Sequence, residues 1–351
     1  MRITFLHPQL DFTDGTARLI ATVRAALAAG HEVSVVSDKG SRTTAMLRTG
    51  AQCFVGELPT DPLLGVFAMG RARHQISELH PDLLHVTDGR LAPLAAKVSA
   101  ALEIPYILEL ANVPEDRLRL DLNWLRATLV PCPTFIEKAV NVGQAPRASL
   151  KVIEHGPCLD RDWVPRPSID DQRPVILKIG TLDRDHGVDV LIDAARLLDS
   201  AQRAVNVLVL GAGPEEQALR RQVRELHLSE VVTISCPVLP DLATAFAQTD
   251  LHVSCVRSGN PGWSAAQAHG LGIPSIFSAI SSTFGWVDDR QSGLLVERND
   301  PEKLAEAISV LLENRTAATQ MGVRAREKSL EIGRYQAFQQ ELGELHTCAL
   351  V

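Results

Sequence analysis

The chain has 351 residues, more than the about 250–300 at which one hydrophobic core stops growing, so two domains are expected. Apolar residues make up 45% and charged residues 22%, an ordinary globular composition. The net charge of −7 excludes the basic footprint of a nucleic-acid binder, and an anionic substrate would need local basic groups.

The opening MRITFLHP runs into Asp11 and Asp14, so it lacks the apolar run of a signal peptide. No later stretch reaches the roughly 18 apolar residues of a transmembrane helix, and a cytoplasmic location is expected. In the first half RITFLHP, HEVSVVS, DLLHVTD, IPYILEL, ATLVPC and KVIEHG read as strands. TARLIATVRAALAAG, APLAAKVSAALE and TFIEKAVNVG read as the helices between them. The alternation predicts a doubly wound parallel sheet ending near Gly156.

WVPRPSIDDQRP, rich in proline and charge, reads as a linker. After it come the strands VILKIG, VNVLVLGAG, VVTISCP, LHVSCV, IPSIFSA and GLLVE. The helices of this half are GVDVLIDAARLL, PEEQALRRQVRELH, LATAFAQ, WSAAQAHG and PEKLAEAISVLLEN. The α/β chain therefore divides into two tandem Rossmann-like domains, 1–165 and 166–330, facing a cleft between them. A C-terminal helix, 331–351, is expected to pack back on the first domain. The six cysteines (Cys53, Cys132, Cys158, Cys236, Cys255, Cys348) have no metal or redox spacing and read as buried thiols.

Gly211-Ala212-Gly213-Pro214 allows a tight strand-to-helix turn, with Pro214 suited to the first helical turn. Its glycines serve either the turn or a nucleotide. Asp300-Pro301 reads as a helix cap and first position, a wholly structural start.

Several phrases carry a family resemblance: VIEHGPCLD, RPVILKIGTLDRDHGVDVLIDAARLL, VLVLGAGPEEQALRR and SGLLVERNDPEKLAEAISVLLEN. Together they resemble the retaining, family-four (glycogen-synthase-like, group 1) glycosyltransferases over roughly residues 1–325. The resemblance implies the GT-B fold, a nucleotide-diphosphate sugar as substrate, a small-molecule or glycan acceptor, and no metal or other cofactor.

It also implies a set of donor-site positions. Where the family has an arginine after the glycine of the first second-domain strand, this chain has Thr181; where a lysine follows five residues on, it has His186. Two family glutamates with seven residues between them align with Gly259 and Gln267 in SGNPGWSAAQAHGLGIP. A glutamine still hydrogen-bonds a diol, whereas Gly259 offers backbone only. The family's first-domain histidine aligns with Ala111, its first glycine pair with Asp14-Gly15, and a later pair with Ser281-Ser282. Gly211, Gly213, Pro237, Val238, Asn260 and Gly262 complete the implied donor positions. The frame is kept while the usual charges are not.

Arg184 and Arg257 are cations that could replace the lost ones; otherwise they are solvated or paired with Asp183 and Asp185. His155, Glu109 and Asp88 are weak catalytic candidates, and His269 shares a helix with Gln267. Trp263 either stacks on a sugar or base or fills the volume a nucleotide sugar would use. Two readings follow: a glycosyltransferase with an atypical donor site, or a catalytically degenerate homologue that acts as a binding or scaffold partner of another protein. A dinucleotide-dependent oxidoreductase is weaker, because HPQLDFTDGTARL contains no G-x-G-x-x-G loop.

Overall fold

The computed structural model describes residues 1–351 except 12, 39, 41, 57, 60–64, 111–117, 142–144, 154–172, 237–241, 285, 333–334 and 351. Two compact units emerge: residues 1–11, 15–154 and 335–351 form the first, and 12–14 with 155–334 the second.

The first unit is built on β1 (Arg2–Gln9), β2 (Glu32–Asp38), β3 (Gln52–Val55), β4 (Leu83–Val86), β5 (Tyr106–Glu109), β6 (Leu125–Val130) and β7 (Leu150–Val152). They lie in the order β3-β2-β1-β4-β5-β6-β7, and every pairing is parallel. Strands buried on both faces bury residues of either parity, and in β1 Ile3, Phe5 and Leu6 are all fully buried. On one face α1 (Asp14–Ala28) brings Leu19 and Val23 against Ile3, Phe5, Val33 and Val35. The C-terminal helix α12 (Tyr335–Cys348) joins this face through Phe338, Leu342 and Leu345. On the other, α3 (Gly65–Glu78), α4 (Ala92–Leu102) and α5 (Pro133–Asn141) cover Leu6, Leu84, Val86 and Leu108. A short α2 (Thr43–Leu47) precedes β3. The strand β3 and the helices α2 and α3 are additions to the elements read from the sequence.

The second unit contains β8 (Val175–Ile179), β9 (Asn206–Leu210), β10 (Val232–Ser235), β11 (Leu251–Ser254), β12 (Ser275–Ser278) and β13 (Leu294–Val296), ordered β10-β9-β8-β11-β12-β13 and all parallel. Its helices are α6 (Val188–Ser200), α7 (Glu216–Glu225), α8 (Leu242–Ala247), α9 (Trp263–Leu271), α10 (Pro301–Glu313) and α11 (Arg315–Ile332). One core joins α6, α7 and α10 to Ile176, Val207, Val209, Val253 and Ile276. On the opposite face α9 packs on Phe277, and Gly272 ends α9 at φ +75°, facing Gly322 of α11 so closely that a side chain on Gly322 would strike the Gly272 carbonyl.

Two local readings resolve here. Asp300 caps α10 by accepting from Lys303 N–H at 2.8 Å, with Pro301 in first place. Pro214, by contrast, lies in a turn and α7 starts only at Glu216, because Leu182 and Gly213 carbonyls take the Glu215 and Glu216 amides and close that turn first.

Candidate functional site

Each sheet reverses its winding once, between β1 and β4 in the first unit and between β8 and β11 in the second. At such a point neighbouring connections leave toward opposite faces, and the crevice beyond the carboxyl ends is where open α/β sheets bind ligands. Thr181, Arg184 and His186 follow β8, and Arg257, Gly259, Asn260 and Gly262 follow β11. The structure brings these residues together at one reversal.

After β8, residues 184–186 form a single 3-10 turn capped by Asp183. Its Oδ1 accepts from the His186 backbone at 3.0 Å and from His186 Nδ1 at 2.7 Å. Burial pushes the Asp183 carboxyl up, but the hydrogen bonds from His186 outweigh it and hold the group below the usual carboxylate range. An ionised carboxylate only accepts, so Nδ1 carries the proton and Nε2 of the neutral ring is an acceptor. That polarity is wrong for a phosphate; only the imidazolium would donate from Nε2.

Arg257 is held on all sides. NH1 and NH2 meet Asp189 Oδ1 and Oδ2 at 2.8 and 2.6 Å, NH1 also donates to the Arg184 carbonyl, and Nε donates to Asn299 Oδ1. Its ion-pair partner is thus Asp189 on α6, not Asp183 or Asp185, and this bond raises the guanidinium further above its ordinary value despite partial burial. Arg184 differs: it is exposed, and its guanidinium has no partner among the described residues.

The loop from Ser258 to Gly262 is shaped by backbone. Gly259 and Gly262 have φ of +87° and +98°, a region that favours glycine. Asn260 Oδ1 accepts from Gly262 N–H at 3.0 Å, Ser258 Oγ donates to Asp185 Oδ1 at 3.1 Å, and Ser282 Oγ donates to the Gly259 carbonyl at 2.5 Å. Gly262 then opens α9 with no side-chain cap. Amides at an uncapped helix start, reached through a glycine loop, are a neutral means of holding an anion.

Three side chains of α9 point inward. Gln267 is fully buried, and Trp263 is 6% exposed with an indole N–H that lacks a partner among the described residues. Trp263 fills space. His269 stacks on Trp286 at 4.5 Å, with burial first and Lys328 second lowering its pKa to about 3. It is a neutral core ring, not an acid or base. Gly211 and Gly213 serve close approach: a Cβ on Gly211 would strike the Gly180 carbonyl, and one on Gly213 the Leu182 carbonyl.

Sequence analysis passed over Lys178. It is 1% exposed in β8, and Nζ donates to the Ile179 carbonyl at 3.3 Å, the same carbonyl that accepts from Ser264 Oγ at 3.0 Å. The signal was a lysine inside the otherwise apolar VILKIG.

In the first unit Asp88 caps the 3-10 turn 89–91 and binds Arg90 through backbone and guanidinium at 2.8–3.0 Å. Glu109 ends β5, pairs with Arg18, and lies 3.5 Å from His85 Nε2. His7 stands between Thr87 Oγ1 at 2.7 Å and Thr16 Oγ1 at 3.2 Å. Burial lowers its pKa to about 4, against the pull of Asp88 and Glu109. Gly15 sits in the first turn of α1. His155, Pro237, Val238, Ala111 and the Asp14 side chain lie outside the described residues.

The profile of the family "Glycosyl transferases group 1" matches residues 160–328. An uncharacterized glycosyltransferase of Haemophilus influenzae is 22% identical across 95% of this chain and 96% of its own. D-inositol 3-phosphate glycosyltransferase 1 of Catenulispora acidiphila is 31% identical, over 45% of this chain and 40% of its own length. Among solved structures, Anabaena HepE in complex with UDP and glucose superposes with a TM-score of 0.81 at 16% identity, covering 99% of both chains. That last likeness is one of fold. Taken with the two parallel sheets and their reversals, these matches give the chain the GT-B fold and identify residues 160–328 with the group 1 glycosyltransferase family.

Proposed function

We propose that the chain transfers a glycosyl group from a nucleoside-diphosphate sugar to a small-molecule or glycan acceptor, holding the donor with backbone amides and Arg184 rather than with paired cations. The uncapped glycine loop at the β8/β11 reversal carries this reading. Support comes from HepE, whose structure of the same fold holds UDP and glucose. Thr181 adds one neutral donor and Gln267 a buried amide beside the loop. The proposal treats the nucleotide sugar as substrate, uses no metal or other cofactor, and places the protein in the cytoplasm. No helix among the described residues is long and apolar enough to cross a membrane.

Calorimetry of purified protein with UDP, GDP, ADP, TDP and their common sugars tests the reading. Saturable binding to one base is expected, and at one hundred times Kd it would add about 2.7 kcal/mol of stability. Silence across the panel at millimolar concentration would sink it.

The scaffold reading keeps one specific observation in its favour: Arg257, His186, Asp88 and Glu109 all have intramolecular partners. Donor hydrolysis or transfer by the pure protein, lost in Arg184→Ala, would rule that reading out.

A further inference from the structure

Five side chains form one polar chain through the first unit. Arg18 of α1 donates to Glu109 Oε1. Glu109 Oε2 lies 3.5 Å from His85 Nε2 on β4, and His85 Nδ1 lies 3.0 Å from His346 Nε2 on α12. His31, in the turn after α1, meets His346 edge-on at 5.9 Å between ring centroids. Phe5 of β1 stacks on His85 at 4.7 Å and 22°. His85 and His346 are both 0% exposed.

The protons in this chain are countable. Glu109 Oε2 makes a charge contact with His85 Nε2 at 3.5 Å without a hydrogen bond, and beside a carboxylate the tautomer with its N–H on Nε2 and a lone pair on Nδ1 is the favoured one. His346 therefore donates from Nε2, and its Nδ1 is a bare lone pair with no partner among the described residues. An added proton, whichever ring is called charged, ends with an N–H at His346 Nδ1. That N–H has no acceptor among the described residues, and a buried unsatisfied donor is costly. The groups facing His346 offer no relief: His85 and His31 are themselves cationic when protonated, the Met1 ammonium acts on His31, and Glu109 is already engaged by Arg18.

We propose that α12 is held on the first unit by an acid-released latch, whose closing contact is the His85–His346 hydrogen bond. α12 otherwise docks by Phe338, Leu342 and Leu345 and by Tyr335, whose hydroxyl donates to the Ala21 carbonyl at 2.8 Å. Burial, then His85 and His31, hold the His346 imidazole well below its ordinary value. A released helix would titrate near 6.5. The docked state then binds fewer protons than the released one, so docking weakens as pH falls below about 6.5, about tenfold per unit for one proton.

Hydrogen exchange of the full chain between pH 7.5 and 5.5, corrected for intrinsic exchange, tests the latch. Amides of Tyr335–Cys348 are expected to lose protection about tenfold per unit below about pH 6.5 while those of β1, β4 and β5 hold. His346→Phe keeps the ring volume and should make the pH dependence of α12 protection shallower by about one proton, leaving only the share of His31, whose imidazole pKa is also lowered by burial. Loss of protection by α12 and the sheet together, or an unchanged pH dependence in His346→Phe, would overturn the proposal. If that variant does not fold, the selective or common loss in the natural chain still decides.

Discussion

Arg257 and Asp189 meet in a two-pronged ion pair, with N–H···O distances of 2.8 and 2.6 Å. The pair fastens the loop after β11 to the first turn of α6, where a carboxylate is also favoured by the helix dipole. Because Asp189 is 45% exposed, solvent discounts the pair, and Arg257→Ala is expected to cost about 1 kcal/mol of stability in urea denaturation. Arg184→Ala should leave that midpoint unchanged and weaken UDP binding about tenfold, since a charge-assisted hydrogen bond contributes on the order of 1.5–3 kcal/mol. The reverse pattern would make Arg257 the ligand cation and Arg184 a solvated side chain.

Trp263→Phe removes a buried N–H that lacks a partner among the described residues. An unsatisfied donor costs about 1–3 kcal/mol, which offsets the lost volume of the larger ring. The variant should therefore stay within about 1 kcal/mol of the natural chain, whereas Trp263→Ala should lose about 3–5 kcal/mol. Nucleotide-sugar binding by Trp263→Phe should also be unchanged in calorimetry; a tenfold loss of binding in that variant would mean that the indole N–H reaches the ligand.

The six strands of the second unit were legible because parallel strands covered on both faces are predominantly apolar, and VILKIG or LHVSCV hardly read otherwise. The edge strand β3 was not: Gln52–Val55 is half-buried, and QCFV carries too little periodicity to stand out. At the site, the place was readable and the pairing was not. The family resemblance located Thr181, His186 and Gly259 and the end of LHVSCV located Arg257, but Arg257 pairs with Asp189, 68 positions away on α6, and not with the loop carboxylates Asp183 and Asp185. Pairing across a parallel sheet is set by strand order, which spacing along the chain does not contain. Lys178 escaped notice for a related reason, as a charge inside an apolar run reads as noise until its burial is known.

Gly211→Ala tests whether the glycine after β9 serves packing. Its φ needs no left-handed backbone, yet a Cβ there would meet the Gly180 carbonyl and crowd Leu182 at 3.1 Å. Backbone cannot yield as a flexible side chain does, and forced overpacking costs about 1–3 kcal/mol. A drop of that size in the denaturation midpoint, with the relative affinities for UDP and GDP unchanged, is expected. A stable Gly211→Ala protein that no longer binds nucleotide would assign the glycine to the ligand.

Acid should destabilise the second unit through His269. Its pKa lies at about 3 in the folded chain, lowered chiefly by burial against Phe277 and Trp286, and near 6.5 when unfolded. Between those values the unfolded chain binds the extra proton, so stability falls with pH by up to about 1.4 kcal/mol per unit and levels off only below the folded value. His252 is pushed in the same direction by burial and then by Lys178 and His269, and adds to the slope. His269→Phe keeps an aromatic face on Trp286 and removes one of these protons. Urea denaturation of the second unit at pH 7.5, 6 and 5 should then show a slope shallower by about one proton than the natural chain. An equal slope in both proteins would mean that His269 keeps its ordinary titration in the folded state, and that the Trp286 stack does not seal it from water.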